Sequence, residues 1–421
     1  MGLAGYERPT TPFLDDLASS GASFTVAVSA SSWTKPSTAS ILTGLTPNVH
    51  QMLDFYRRSE ILGPQMTARR VLPDSLTTLA ECLRQAGFAT GARTNNVHAG
   101  SFFNMLQGFD DAATVHEANT GEMLDDMRGW LARLGANEAF FFFLFTRDAH
   151  TPYRPGYESY RRFNRSAELV PEKDYVEYLD DLNARVRQLI HAKRPVPRNL
   201  QEHWVDLYDA GMAELDHALR RLPEVLEQSG RASSTFIIIT ADHGERLFDH
   251  GKIGHGWGLD EAVLRVPLIV TGPGIAADTR VSAVARSIDI YPTVATLVGV
   301  KPPRMLQGRT LTPLLDGTAG SVPEVTAFSS TGRAHALRDG DYKLHQRNDG
   351  RESVFHLADD PGESLNLARD DPPRARRLRA ELYRWLRQEA QLRRSIGAAP
   401  TRNLSPAVRE QLEALGYLPA D

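Results

Sequence analysis

The sequence predicts an α/β fold: an α/β/α sandwich with a large, mostly parallel central sheet, plus a small C-terminal antiparallel-sheet subdomain with a terminal helix. Strand-like and helix-like segments alternate through residues 1–320, the pattern of strands linked by crossover helices. The run Ala139 to Phe145 (AFFFFLF) is apolar at successive positions, which predicts a strand covered on both faces. Beyond residue 320, short strands and turns such as Asp339-Gly340 replace the alternation.

In chain order, Ser75 to Ala86 carries apolar residues at helical spacing and stops at Gly87, a residue suited to ending a helix. Ala89 to Thr94 reads as a short strand. Met123, Met127, Trp130, Leu131 and Leu134 form a helical stripe that ends at Gly135. His203 to Leu219 is helical, Pro223 interrupts it, and a second piece runs to about Ser229. Phe236 to Thr240 (FIIIT) and Val266 to Thr271 are further buried strands, and Ser287 to Val298 a helix. Residues 160–205 are polar and charged and read as a helical insertion over the sheet edge. Thr326 to Ser330, His335 to Leu337, Tyr342 to His345 and Val354 to His356 are short strands of a C-terminal subdomain spanning 321–421. Arg374 to Ala390 is a basic amphipathic helix whose arginines form a solvated face.

Bulk properties narrow the function. The chain has 421 residues, 41% hydrophobic and 24% charged, as in an ordinary globular protein of a large domain and a smaller one. A net charge of −4 gives no nucleic-acid footprint, and no apolar run reaches the length of a membrane span. The single cysteine, Cys82, sits in a helical apolar pattern and reads as a small core residue. An intrachain disulfide is impossible, which fits a reducing compartment. No signal peptide is visible at Met1. The sequence as written is thus cytoplasmic in character, and periplasmic or secreted if a leader precedes it.

Ligands of open parallel sheets bind beyond the carboxyl ends of the strands. There the sequence places Asn95, Asn96 and His98; then Asp148 and His150; then Asp242, His243, Glu245, His250 and His255. Asp242-His243 joins a hard carboxylate to an imidazole and suits a divalent ion. The segment Ser31 to Thr38 is a hydroxyl-rich turn entering a helix of small residues, a place to present a nucleophile where exposed N–H groups favour an anion. Serines and threonines at helix starts are usually caps, so this turn gains weight only from its company.

That company is extensive. TKPSTASILTGLTPNVH resembles the signature of the sulfatase family, within the alkaline phosphatase-like superfamily. RPTTPFLDDLASSGASF, DAHTPYRP, ADHGERLFDHGKIGHG, LRVPLIVTGPG, SIDIYPTVATLVGV, GDYKL and VREQLEALGYL resemble its other segments in order, across nearly the whole chain. The resemblance implies Thr34 as nucleophile and metal ligand, and Asp242 and His243 as metal ligands. It implies that His150 and His255 contact the ester anion or assist the leaving group, and places Asn96 and His98 near the nucleophile. The implied cofactor is one divalent metal ion, calcium by family, with manganese or zinc also suiting the Asp-His-Thr set. The implied partner is a small anionic ester.

Three departures stand out. Relatives that hydrolyse sulfate usually carry a Cys or Ser that is oxidised to formylglycine. Thr34 cannot be converted that way, so no formylglycine is expected, and phosphate or phosphonate esters, or group transfer, come into play. Thr38 stands where an Arg usually supports the nucleophile, and Lys35 is a candidate for the missing charge. Finally, relatives open with a buried strand and acidic metal ligands ahead of the GYERPTTP segment, so the resemblance implies a start upstream of Met1. A catalytically degenerate anion- or partner-binding homologue is the competing reading from another class.

Overall fold

The computed structural model describes residues 1–54, 68–165, 169–317 and 325–414. The α/β fold, the C-terminal antiparallel sheet and the terminal helix are all present. Ala89–Thr94 lies between Asp111–Thr114 and Phe140–Phe145, parallel to both. It is the covered strand of this trio, with five of its six residues buried. The helix Leu79–Gln85 precedes it. Thr78 accepts from the Glu81 amide while the Glu81 carboxylate accepts from the Thr78 amide, so both ends of the first turn are satisfied.

The central sheet is more mixed than the sequence suggests. A second sheet runs Thr279–Val281, Ala22–Phe24, Leu268–Thr271, Ile237–Thr240, and only its first pair is parallel. The reason lies in the connection between Thr240 and Leu268. It holds loops and a one-turn helix, Glu261–Leu264, with no crossover helix, so the chain returns antiparallel. The single strand expected over Val266 to Thr271 is two. Pro267 cannot donate to a ladder, and the chain leaves one sheet there for another: Arg265–Val266 pairs with Ala27–Val28, whose other neighbour is Ala285–Arg286.

The expected two-sided burial of FFFFLF and IIIT needs correction. Every residue of Phe140–Phe145 and of Ile237–Thr240 is only partly buried. Among the described residues each strand is laddered on one side only, so each is the edge of its sheet.

The polar region 160–205 is helical and has its own core. Helices Tyr157–Phe163, Tyr175–His191 and Arg198–Leu219 close over Tyr160, Tyr175, Leu179, Leu182, Val186, Trp204 and Leu207. The C-terminal sheet is an antiparallel meander of Ala327–Ser330, Ala334–Asp339, Tyr342–Arg347 and Glu352–His356. The basic helix is longer than expected, Pro372–Ile396. It lays Ala375, Leu378 and Leu382 on Leu337, Leu344 and Val354, while Arg377 and Arg379 pair outward with Asp339 and Glu352. The chain then returns to the main body, where Thr401–Asn403 pairs with Ala68–Arg70. The subdomain boundary near residue 320 and the end of VREQLEALGYL lie outside the described residues. No helix among the described residues is long and apolar enough to cross a membrane.

Candidate active site

The helix Thr34–Thr43 is buried along its whole length, polar residues included. Small side chains let it pass close to its neighbours, and Gly44 ends it in the left-handed region (φ 64°). A side chain at Gly44 would also come within 2.9 Å of Leu306. The entering turn is stitched by hydroxyls. Ser37 Oγ donates to the Ser31 carbonyl (3.0 Å), Ser31 Oγ to the Ser330 carbonyl (2.7 Å), and Ser29 Oγ to the Asp242 carbonyl. These bonds tie the start of the helix to the C-terminal sheet and to the loop that carries the acid–imidazole pair.

That loop brings its residues to the same place. Thr34 Oγ1 lies 3.3 Å from His243 Nε2, and Asp242 Oδ2 lies 3.3 Å from the same nitrogen. His243 Nδ1 is 2.8 Å from the Gly244 carbonyl. A carbonyl only accepts, so Nδ1 carries the proton and Nε2 faces the hydroxyl and the carboxylate. Asp242 Oδ2 is buried with no hydrogen-bond partner among the described residues. A carboxylate oxygen and an imidazole nitrogen facing each other require positive charge, supplied by a second imidazole proton or by a metal ion. The chemistry of this donor set therefore fits a divalent cation held by Asp242, His243 and Thr34. Among the described residues no group of three or more His, Cys, Asp and Glu side chains is arranged to hold one.

His150 and His255 complete the cluster. The His255 ring centroid lies 4.2 Å from that of His243 and 4.8 Å from that of His150. His255 Nδ1 is 2.8 Å from Glu245 Oε2, and His150 Nδ1 bonds to the Thr151 carbonyl. Burial pushes His150 down to about 3, helped by His255, and drives His255 well below its ordinary value, helped by His243. Burial pushes Glu245 up to about 7 against the pull of the neighbouring imidazoles. The Gly256 amide donates to the Ser32 carbonyl (2.6 Å), fastening the His255 loop to the nucleophile turn.

The remaining sequence candidates fall nearby in different settings. Asn96 accepts from the His98 amide (2.9 Å) and starts a short 3-10 turn. His98 is fully buried, stacked on Phe103 and edge-on to Trp33, and burial holds it neutral. Lys35 is buried, pairs with Asp54 and lies over the Phe103 ring at 4.7 Å. Burial lowers its pKa to about 8, with Asp54 opposing. Its charge is therefore already matched by a carboxylate. Thr38 Oγ1 is buried without a partner among the described residues. Two further rim residues lie apart from the imidazole cluster. Asp148 accepts from Asn95 (3.1 Å) and from the Thr120 amide (2.9 Å), and His250 is exposed beside Asp360. Sequence reasoning leaves Glu245 as a rim residue without a role and misses Asp54. The DHGE run was a signal for the first, and nothing local marks the second.

A hydroxyl at a helix start thus faces an acid–imidazole pair on an α/β scaffold. Comparison with known proteins makes this specific: the sulfatase family profile matches residues 1–300, and the chain belongs to that family. A profile for the C-terminal part of N-sulphoglucosamine sulphohydrolase matches residues 249–391. Arylsulfatase K of Rattus norvegicus is 29% identical over 180 residues, which is 39% of this chain and 32% of the relative. A sulfatase of Formosa agariphila is 28% identical over 165 residues, 39% of this chain and 32% of that protein. The matched stretch thus spans about a third of these curated relatives. Among solved structures, BT4656 in complex with its substrate D-glucosamine-2-N,6-O-disulfate superposes with a TM-score of 0.75 at 21% identity, covering 93% of this chain and 95% of that one. The phosphonate monoester hydrolase of Silicibacter pomeroyi gives 0.68 at 20% identity, covering 90% of each. At these identities the structural likeness establishes the fold.

Proposed function

We propose that this chain is a metal-dependent hydrolase of sulfate or phosphate-type esters in which Thr34 is the nucleophile. The observation that carries the reading is the approach of Thr34 Oγ1 to 3.3 Å from His243 Nε2, on the side where Asp242 Oδ2 is buried 3.3 Å from the same nitrogen, with no hydrogen-bond partner among the described residues. A cation bound there would polarise a sulfuryl or phosphoryl oxygen and lower the pKa of the hydroxyl. The residues then have distinct work. Thr34 Oγ attacks sulfur or phosphorus in line and passes its proton to the imidazole of His255, held by Glu245, or of His150, held by Thr151; the ester bond to the alcohol breaks as that imidazolium returns the proton to the leaving oxygen. The first-turn amides of the nucleophile helix face the equatorial oxygens. Water then opens the Thr34 ester and restores the hydroxyl. Calcium is the metal the family favours, and the mixed O/N donor set also accommodates manganese or zinc.

The Thr34 nucleophile favours phosphate or phosphonate esters, or transfer to an acceptor alcohol. The family and the sulfated sugar bound by BT4656 favour an anionic sugar sulfate. Aryl sulfate, phosphate monoester, phosphate diester and phosphonate substrates assayed side by side decide between them. Thr34→Ala lowers turnover of the best substrate by about 10⁴-fold or more with the fold retained, while Thr34→Ser keeps a measurable rate. Full turnover by Thr34→Ala rejects the mechanism. A second reading, an anion-binding homologue without turnover, draws on Thr38, whose buried hydroxyl stands where relatives carry a cation. A protein that binds sulfate esters but holds no stoichiometric divalent metal by elemental analysis supports that second reading.

A further inference from the structure

Several buried or partly buried arginines among the described residues are matched by carboxylates. Arg8 meets Asp206 and Asp209, Arg93 meets Asp111 and Asp126, Arg246 meets Asp260, Arg286 meets Asp289, and Arg338 meets Glu261. Arg187, partly buried, is not so matched; nor is the buried Arg231, whose guanidinium goes to the Ser229 and Gly135 carbonyls. The Arg187 guanidinium donates to Thr151 Oγ1 (3.0 Å) and forms no ion pair among the described residues. It sits on helix Tyr175–His191, one turn from Asn183, whose side chain donates to the Tyr153 carbonyl (3.3 Å). The same helix face therefore grips the segment after His150 at two points. Its position is fixed from below by Leu182 and Val186, which are fully buried in the helical core with Tyr153 and Trp204.

Burial pushes Arg187 below its ordinary pKa. The groups that act on it electrostatically are Tyr153, Glu245 and Arg154. Glu245 is the carboxylate that holds His255, and Thr151 supplies the carbonyl that holds His150. The guanidinium thus stands at the margin of the imidazole cluster. A guanidinium taken partly out of water without a matching carboxylate costs free energy, and that cost is recovered when an anion arrives.

Building on the reading that His150 and His255 front the reacting ester, we propose that Arg187 forms a subsite for a second anionic group on the organic part of the substrate. The protein then selects doubly anionic esters over singly anionic ones. A planar guanidinium offers paired donors that match a sulfate or a carboxylate, which a lysine does not.

The test is calorimetric binding of N-acetylglucosamine 6-sulfate and N-sulfoglucosamine 6-sulfate to the Thr34→Ala protein, so that neither ligand turns over. The two share a ring and a 6-sulfate and differ by one negative charge. The disulfated sugar binds about tenfold to hundredfold more tightly, the worth of one charge-assisted pair. Adding Arg187→Gln brings the ratio to within about twofold and leaves the monosulfate affinity in place. Arg187→Lys keeps part of the preference. Equal binding of the two sugars to the parent, a preference that survives Arg187→Gln, or a parallel loss for both sugars overturns the proposal. The proposed catalytic role fails separately, through an absence of turnover of every aryl ester by the unmodified protein.

Discussion

The two halves of the candidate site are held in place by different means. The nucleophile half is a ten-residue helix buried at every position and stitched by serine hydroxyls to two other parts of the fold. The Asp242–His255 half hangs from Ile237–Thr240, a partly buried edge strand, and crosses two-residue strands and glycine turns before returning at Glu261–Leu264. One half is placed by core packing. The other is placed by a few strong polar clamps, so single substitutions should disturb it far more.

Arg246 is the strongest of those clamps. It is 1% exposed and bonds Asp260 through Nε (3.0 and 3.1 Å) and through a terminal nitrogen that also reaches the Trp257 carbonyl. Burial alone would raise the Asp260 carboxyl, yet Arg246 holds it below its usual range. Removing one partner leaves a buried, uncompensated charge. Arg246→Ala should cost about 3–5 kcal/mol by denaturant titration and abolish turnover. A loss below about 1 kcal/mol would show that the loop does not depend on this pair.

Gly244 comes next. A side chain there would lie 2.1 Å from the Ala262 carbonyl oxygen, a backbone atom that cannot swing aside. The Gly244 amide also donates to Val263 (2.9 Å). Gly244→Ala should cost about 1–3 kcal/mol. Displacing Asp242 and His243 by about 1 Å should also cut kcat roughly 10²-fold. The matched control is Ala39→Gly within the nucleophile helix. Its cost should stay near about 1 kcal/mol and its effect on kcat small, since neighbouring packing holds the helix. Similar kcat losses in both variants would erase the contrast between the halves.

The difference also explains what could be read from the sequence. Ala89–Thr94, the helical stripe around Trp130 and the C-terminal strands were legible because their periodicity and end signals are local. Thr34, Asp242 and His243 were legible only through motif resemblance, because they are far apart in the chain and their meeting depends on topology. The pairing of Lys35 with Asp54 had no local signal, and neither did the lack, among the described residues, of an ion pair for Arg187. FFFFLF misled for a physical reason. Continuous apolarity reports a demand for cover, while the degree of cover is set by which strands pair alongside. Hydrogen exchange sharpens this point. Amides of Phe140–Phe145 and Ile237–Thr240 that face away from the ladder should exchange faster than those of Ala89–Thr94, which is laddered on both sides. Equal protection of all three strands would contradict their placement as edges.

The smallest expected effect concerns a clamp on the nucleophile side. Glu389, on helix Pro372–Ile396, is 2% exposed and accepts from Thr46 Oγ1 and from Asn48 Nδ2 (2.7 Å), just beyond the end of the nucleophile helix. Burial raises its pKa above the ordinary 4.5, with the hydrogen bonds to Thr46 and Asn48 opposing. Between 4.5 and the raised value the folded chain keeps a proton that the unfolded chain has released. Stability should therefore fall as pH rises through that window, by at most about 1.4 kcal/mol per pH unit for this one proton. Glu389→Gln keeps the shape without the charge and should flatten the slope in urea midpoints measured across the same window. The effect stays small because packing of the whole helix, rather than this one carboxylate, supports the nucleophile half. A slope unchanged by Glu389→Gln would mean that the carboxylate is ionised and well solvated in the folded protein, and that its burial does not govern stability there.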